Sequence, residues 1–469
     1  VISYFRSLLP SRLILLVVLY LAIRLPLLFL NLPATVPELY AMLVGERMAD
    51  SAALYRDIYD SMAPLSAMVY WLIDLLVGRS YLAYRMVAAA LLLLQALLFN
   101  SILNRLHVYG HKNYIPALLY LTFGCLTFEF DMLTPLLIGN TFVILSLPYI
   151  VTVSREGLDN SRLFIGGFML GLAALSYLPL TLFLLLASVA VFFFASSTFR
   201  SFLLMLCGFA FPYAVLFSYY FYTGALGGFL ELHLLRSWQF GTEFIIPPLD
   251  LAKILVLPAL VLVLSLFSVF SLPQRLVFQE KFQQLMVVWL LVSMLVVVAP
   301  NEVSAWIFVV LLPPLAYFGE YLFTGRLKAW ILTLIYLLVL SGVVVLRYRQ
   351  VLGLHQVLTI DQSRLVLPEE QATSVKGKSI LVLGDDITYY AHNKLATPYL
   401  DWHLSQRHFS HLNEYQAVFE LYKNFTAEAP EIIVDQAGLM PELQYKLPEI
   451  FGNYKPAGTG ETAKIYSRN

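Results

Sequence analysis

Charge is what this chain has least of. Only 13% of its 469 residues are Asp, Glu, Lys or Arg, about half the share found in a soluble globular domain. Hydrophobic residues make up 59% and mean hydropathy is +0.75, a composition that excludes a soluble enzyme. Neither sign of charge is in excess, because 30 Lys plus Arg balance 30 Asp plus Glu. A nucleic-acid binder and a disordered acidic or basic tail are therefore excluded as well. Cysteine is nearly missing. Cys125 and Cys207 both lie inside apolar runs, so there is no disulfide framework and no metal-ligand spacing to read. Repeats of fixed period and low-complexity tracts are absent, and no spacing calls for a metal or a cofactor.

What the chain has in abundance is long apolar runs. A helix that spans a bilayer needs roughly 20 predominantly apolar residues. The candidates are 13–30, 85–104, 114–130, 132–153, 163–178, 180–195, 202–222, 253–272, 285–299, 304–322 and 329–346, eleven in all. The first has no small-residue cleavage site after it and is expected to be a permanent span. A further stretch, 64–78, is short and contains Asp74, and loop charge decides whether it crosses. If it does not, Arg6, Arg12, Arg105, Lys112, Arg155, Arg162, Arg200, Arg275, Lys281, Arg326 and Lys328 share one side. Basic residues collect in short cytoplasmic loops, so that side is the cytoplasm. The reading that follows is an N-terminus inside, an interfacial or re-entrant helix at 64–78 within one long outer loop, 31–84, and everything after Leu346 outside.

Residues 347–469 change character, with many polar residues and no run long enough to span. Ser379-Ile380-Leu381-Val382-Leu383 before Gly384-Asp385-Asp386, and Glu431-Ile432-Ile433-Val434 before Asp435, read as buried strands ending in turns. Helical patterns cover 411–427 and 440–450. The expected architecture is an all-α polytopic membrane domain over 1–346, with outer loops 31–84 and 223–252, followed by a small soluble external α/β domain over 347–469.

Outside the tail, the external polar residues fall in three places. The first outer loop holds Glu38 and then Tyr55-Arg56-Asp57-Ile58-Tyr59-Asp60 ahead of Pro64. Between the third and fourth spans come Phe128-Glu129-Phe130-Asp131-Met132-Leu133-Thr134. The second outer loop holds Glu231, His233, Arg236, Trp238 and Glu243. Carboxylates this close to apolar segments are costly to place and are functional candidates. Arg24, inside the first span, must pair or face a cavity, but the sequence names no partner.

These motifs resemble those of the polyprenol-phosphate-sugar-dependent glycosyltransferases of the GT-C fold, the superfamily of the protein O-mannosyltransferases and the lipid A aminoarabinose transferases. The similar stretches are Leu54 to Asp60 with the downstream Pro64, Asp131-Met132-Leu133 at the outer end of span three, and three tail segments: Ile380 to Asp385, Ala396-Thr397-Pro398-Tyr399 and Pro430 to Asp435. The resemblance implies a GT-C-like fold of about eleven transmembrane helices and an inverting transfer of a hexosyl or pentosyl group. The sugar would come from a polyprenyl-phosphate carrier, the donor substrate, and pass to a glycan, lipid or protein acceptor. It further implies a multi-pass protein of a bacterial inner membrane that works at the external face, with a membrane-protein partner as a further expectation. Where the family has an Asp-Glu pair this chain has Pro37-Glu38. Either Glu38 takes the role of base, or activity is lost and the chain is a GT-C-like subunit serving as an envelope scaffold.

The chemistry needs a carboxylate to orient and deprotonate the acceptor, and cations to stabilise the departing phosphate. Glu38 and Asp131, each at the outer end of a span, are the catalytic candidates, and Arg56, Asp57, Asp60, His233 and Arg236 are the candidates for binding donor phosphate or substrate. Each also has a plainer reading. Glu38 fits a solvated interfacial carboxylate, Asp131 an N-cap for a helix starting at Met132, Arg56 with Asp60 a charge pair one helical turn apart, and His233 an ordinary loop histidine. A transporter, the third class weighed, predicts inverted repeats with midplane charges, and none is found.

Overall fold

The computed structural model describes residues 2–30, 33–151, 160–194, 198–236, 243–270, 276–300, 302–325, 328–368, 376–459 and 463–468. Arg155, Arg275, Arg326 and Trp238, on which the loop reading drew, lie outside them. The chain forms two compact units, one from 1–32, 81–216 and 238–364, the other from 33–80, 217–237 and 365–469.

Each of the eleven apolar runs is built around a helix. In order these are Pro10–Phe29, Tyr81–Arg105, Ile115–Phe123, Pro135–Val151, Asn160–Ser176, Phe183–Phe194, Thr198–Tyr222, Pro248–Phe270, Val277–Val298, Leu312–Thr324 and Ala329–Tyr348. Seven helices among the described residues are long and apolar enough to cross a bilayer by length and composition, and shorter apolar ones stand beside them. The chain is an integral membrane protein. The 64–78 run forms the helix Pro64–Val77 of 14 residues, about 21 Å long at 1.5 Å per residue and so short of the roughly 30 Å hydrocarbon core.

The 114–130 run is not one continuous helix. It winds only from Ile115 to Phe123 and stops at Gly124, where a Cβ would come within 2.5 Å of Leu92 Cδ2. From there to Thr134 the backbone is irregular apart from a 3-10 turn at Phe128–Asp131, and every residue from Gly124 to Thr134 is buried. Buried irregular backbone persists only where its polar groups are satisfied, and buried arginines do that here.

Elsewhere in this unit close packing depends on small residues. Gly167 and Gly171, four apart on Asn160–Ser176, let that helix approach Thr198–Tyr222 until a Cβ at Gly167 would overlap the Met205 carbonyl oxygen. Gly208 returns the contact, since a Cβ there would overlap the carbonyl of Phe164. Small residues four apart are a common device for helix contact in lipid, where the apolar effect cannot drive association.

The second unit joins residues 33–80 to the tail. Its sheet has five strands: β1 (Ser379–Leu383), β2 (Lys394–Leu395), β3 (Ile432–Asp435), β4 (Tyr454–Thr459) and β5 (Lys464–Arg468). Their spatial order is β2-β1-β3-β5-β4. β1 is parallel to both β2 and β3, with Ile380 opposite Ile432, while β5 runs antiparallel to β3 and β4. Leu381, Leu383 and Ile433 from the sheet meet Phe409, Leu421, Phe425, Leu443 and Phe451 from the tail helices to make its core. Residues 33–80 are fastened to this core by polar contacts. Val36 N donates to Leu365 O at 2.9 Å and Tyr59 N to Pro398 O at 2.8 Å. Arg47 holds the carboxylate of Glu428 through two bonds of 2.8 and 2.7 Å, and Arg79 donates to the carbonyls of Tyr390 and Asn393.

Candidate functional site

Asp131 sits between two arginines in the first unit. Arg24 Nε reaches Asp131 Oδ1 at 2.8 Å and Arg347 Nη2 reaches Oδ2 at 2.7 Å, and all three side chains are essentially shut off from solvent. The same guanidiniums satisfy the irregular backbone. Arg24 donates to Phe130 O at 2.8 Å, and Arg347 donates to Ile23 O, Cys125 O and Thr127 O. Arg24 thus has the partner that the sequence did not name. The helix after Asp131 begins at Pro135, and Thr134 Oγ1, not Asp131, accepts from Leu137 N at 3.2 Å. The capping reading of Asp131 is replaced by an ion triad.

Glu129, two residues earlier, is equally buried. It accepts from Ser304 Oγ at 2.5 Å, Ala305 N at 2.9 Å and Gln362 Nε2 at 2.9 Å. Gln362 in turn accepts from Arg349. Two carboxylates and three arginines are therefore interlocked around 124–134, and bonding on this scale is what makes buried charge tolerable.

Glu38 lies in the second unit, at the start of the helix Val36–Ala49, and is almost fully buried. Thr35 is the N-cap, its Oγ1 accepting from Glu38 N at 3.4 Å and donating to Glu38 Oε2 at 2.8 Å. Thr35-Val36-Pro37-Glu38 is a Thr-x-x-Glu capping pattern, and Pro37 stands in the first turn, where a missing N–H costs nothing. The departure at Pro37 therefore has a local structural reason.

The segment from Leu54 to Asp60 folds into a tight turn. Tyr55 has φ of 68°, a strained conformation for a bulky residue. The turn is held by Tyr55 N donating to Ile58 O at 3.1 Å and Tyr55 Oη donating to Met62 O at 2.6 Å. Arg56 does not reach toward Asp60. It forks onto its neighbour Asp57 at 3.0 and 2.7 Å, and this contact helps hold the Asp57 carboxyl below its usual range against the opposing effect of partial burial. Asp60 is buried and accepts from Met62 N at 2.6 Å. Burial, with Asp401 close by, pushes its carboxyl up to about 7, while hydrogen bonding from Tyr40 and Met62 N limits the rise.

His233 is buried on a short π-helical stretch, Phe229–Leu235, its ring stacked on Phe229 at 5.3 Å between centroids. Burial drives its pKa down to about 4, so the ring is neutral at pH 7. Arg236 is 3.7 Å from Glu231, whose carboxylate is also gripped by Arg407. Arg56, Asp57 and Glu231 share a cavity of about 890 Å³ within the second unit. Glu38 also belongs to this unit and Asp131 to the other. Sequence reasoning missed Arg347, Arg349, Arg407 and Thr35. Of these only Thr35 left a local signal, the capping pattern.

No family model matches the chain, and no curated protein sequence matches it. Among solved structures, ArnT from Cupriavidus metallidurans bound to undecaprenyl phosphate superposes with a TM-score of 0.59 at 13% identity, over 97% of this chain and 98% of that one. The chain has the ArnT fold. The apo state of ArnT superposes with a TM-score of 0.56 at 12% identity, covering 96% and 97%. An oligosaccharyltransferase from Archaeoglobus fulgidus in its apo form aligns at 0.48 with 14% identity, covering 97% of this chain and 74% of that one. The ArnT fold is the architecture expected from the sequence, a polytopic helical membrane portion with a small C-terminal region that contains strands.

Proposed function

We propose that the chain is a membrane glycosyltransferase that moves a sugar from a polyprenyl-phosphate carrier to an acceptor at the external face of the membrane. What carries this reading is the end-to-end correspondence with ArnT, a protein described with undecaprenyl phosphate bound. In the proposed inverting reaction the acceptor hydroxyl or amine attacks the anomeric carbon while the bond from that carbon to the phosphate oxygen breaks. The acceptor proton passes to a carboxylate, and the polyprenyl phosphate leaves with the electron pair.

Glu38 is assigned as that carboxylate. Asp131 is not, because both its oxygens are engaged by arginines, and its role is to hold 124–134 in shape. Arg236 is assigned to the donor phosphate, since at 3.7 Å its hold on Glu231 is loose and Glu231 already has Arg407. Arg56 is committed to Asp57 by two hydrogen bonds, and His233 carries no charge at pH 7. The proposal places the chain in a bacterial inner membrane with its N-terminus cytoplasmic, its tail external, and room for a membrane-protein partner.

One observation favours the alternative of an inactive scaffold subunit. The Thr35 hydroxyl bond to Glu38 gives that carboxylate a structural task that needs no catalysis. The test uses purified protein in nanodiscs, offered a panel of polyprenyl-phosphate sugars with candidate acceptors, and measures release of polyprenyl phosphate. Acceptor-dependent release is the expected result. Failure with every donor would leave the scaffold reading standing.

A further inference from the structure

The helix Tyr415–Ala427 buries Ala417, Leu421 and Phe425 against the core of the second unit. On another face it exposes Tyr415, Phe419 and Tyr422, at 83%, 52% and 43% of their surface. Spacings of four and three residues put these rings in one row along the helix, and Tyr415 and Phe419 lie parallel with centroids 6.1 Å apart. Three large aromatics in a row are a costly thing to leave in water, and a contiguous exposed apolar patch marks an interaction site.

The row does not stand alone, because Phe419 also lines the 890 Å³ cavity, a size at the upper end of ligand pockets. Tyr55 and Gly228 line it as well. Tyr55 is the strained residue with φ of 68°, and a Cβ at Gly228 would overlap its carbonyl oxygen. Strain of this kind collects at binding sites. The lining charges are largely spent on one another, Arg56 on Asp57 and Arg407 on Glu231, while Glu420 accepts from Tyr59 Oη at 2.8 Å. Leaving histidines aside, the lining holds Arg56, Arg407 and Lys423 against Asp57, Glu231, Glu414 and Glu420. Such a surface does not attract an anion. His408, packed edge-on against Tyr59 and Tyr399, also lines the cavity. It is only 8% exposed, and among the described residues its Nδ1 makes no hydrogen bond.

We infer that this cavity and the aromatic row beside it bind an uncharged oligosaccharide. Pyranose rings offer flat C–H faces to Tyr415, Phe419 and Tyr422, and their hydroxyls can both donate and accept at Glu420, Asn424 and the imidazole of His408. A neutral ligand matches the internally paired charges. Glu414 and Glu420 beside the row disfavour its insertion among anionic lipid headgroups. The site needs no donor and no turnover, so it stands or falls independently of the transferase reading.

The experiment is saturation-transfer NMR and calorimetry on the full-length protein in nanodiscs with cellotetraose, maltotetraose and mannotetraose, and with anionic tetragalacturonate as comparator. At least one neutral tetrasaccharide binds, tetragalacturonate does not, and Phe419→Ala and Glu420→Gln each weaken binding about tenfold. Both positions are at least partly exposed and outside the core, so folding is retained. His408→Phe, which keeps the ring contacts, also weakens binding. Absence of binding by all three neutral probes overturns the inference, as does tighter binding of tetragalacturonate or an unchanged affinity in both Phe419→Ala and Glu420→Gln. So does strong quenching of Tyr415→Trp fluorescence by doxyl-labelled lipid, which would put the aromatic row in the bilayer.

Discussion

Arg347, in the last turn of the last long apolar helix, closes on Asp131 at 2.7 Å across 216 residues of chain. The contact joins the last long helix of the first unit to the irregular buried stretch 124–134. Arg24 completes the arrangement from the first helix, so three distant parts of the sequence are fixed by one carboxylate.

Removing that carboxylate is therefore expected to harm folding before it harms chemistry. Asp131→Asn leaves two buried guanidiniums facing a neutral amide, and loss of one partner from a buried pair costs about 3–5 kcal/mol. Thr134→Ala, which removes the observed helix cap, should cost only about 1 kcal/mol. Thermal unfolding in detergent checks the order. A wild-type melting curve for Asp131→Asn would show that the triad is dispensable.

Glu38→Gln tests the proposed base. Thr35 Oγ1 can still donate to the amide oxygen, so stability should hold, while loss of a general base lowers the transfer rate about 10²- to 10⁴-fold. Thr35→Val removes the hydroxyl and keeps the charge. Thr35→Val is expected to lower the melting temperature through the lost cap, and if Glu38 serves only the helix start, Glu38→Gln will leave transfer at the wild-type rate.

Arg236→Ala and Arg56→Ala should differ. The first raises KM for the donor with little change in stability, and the second changes neither by much, because Arg56 is occupied by Asp57. Donor titrations of the two variants provide the comparison, and equal effects would remove Arg236 from its assigned role.

Asp60 predicts a pH dependence. Its carboxyl lies at about 7 in the folded chain against an ordinary 3.8, so between those values the folded state holds a proton that the unfolded state has lost. Stability from this group is complete below about pH 4 and falls as pH rises through 7. Asp60→Asn should flatten that decline and stabilise the second unit at pH 8 relative to wild type. Hydrogen exchange over 33–80 and 376–459, measured at pH 5 and pH 8, tests it. Identical pH profiles in wild type and variant would contradict the assignment.

Gly167→Leu should be poorly tolerated, since even a Cβ there would overlap the Met205 carbonyl and overpacking a tight contact costs about 1–3 kcal/mol. Gly110, with nothing within 4 Å of a Cβ, provides the control as Gly110→Ala. Melting temperatures that fall together would place the cause outside this contact.

The helical runs could be read from sequence because hydrophobicity over roughly 20 residues is a local property, and β1 and β3 because short apolar runs ended in Gly and Asp turns. The break after Phe123 could not, because the run continues mainly apolar to Phe128 and only Gly124 marks the stop. Nor could the partners of Asp131 be read, since nothing local in Arg24 or Arg347 points across the chain. The capping pattern at Thr35 to Glu38 was present and readable. The shared cavity of Arg56, Asp57 and Glu231 arises from a contact between the first loop and the tail helices that no periodicity encodes.

That the first loop shares its fold with the tail sets a schedule for biogenesis. Residues 33–80 leave the ribosome early, yet Leu365 and Pro398, whose carbonyls accept from Val36 and Tyr59, come near the end. At synthesis rates of roughly 5–20 residues per second, the interval from Ser80 to Leu365 lasts on the order of 15–60 s. Through that time the helices Val36–Ala49 and Pro64–Val77 have each other but not the sheet. A chain cut short before the tail would strand this hairpin, so premature termination should yield a substrate for membrane proteases in place of a smaller working protein.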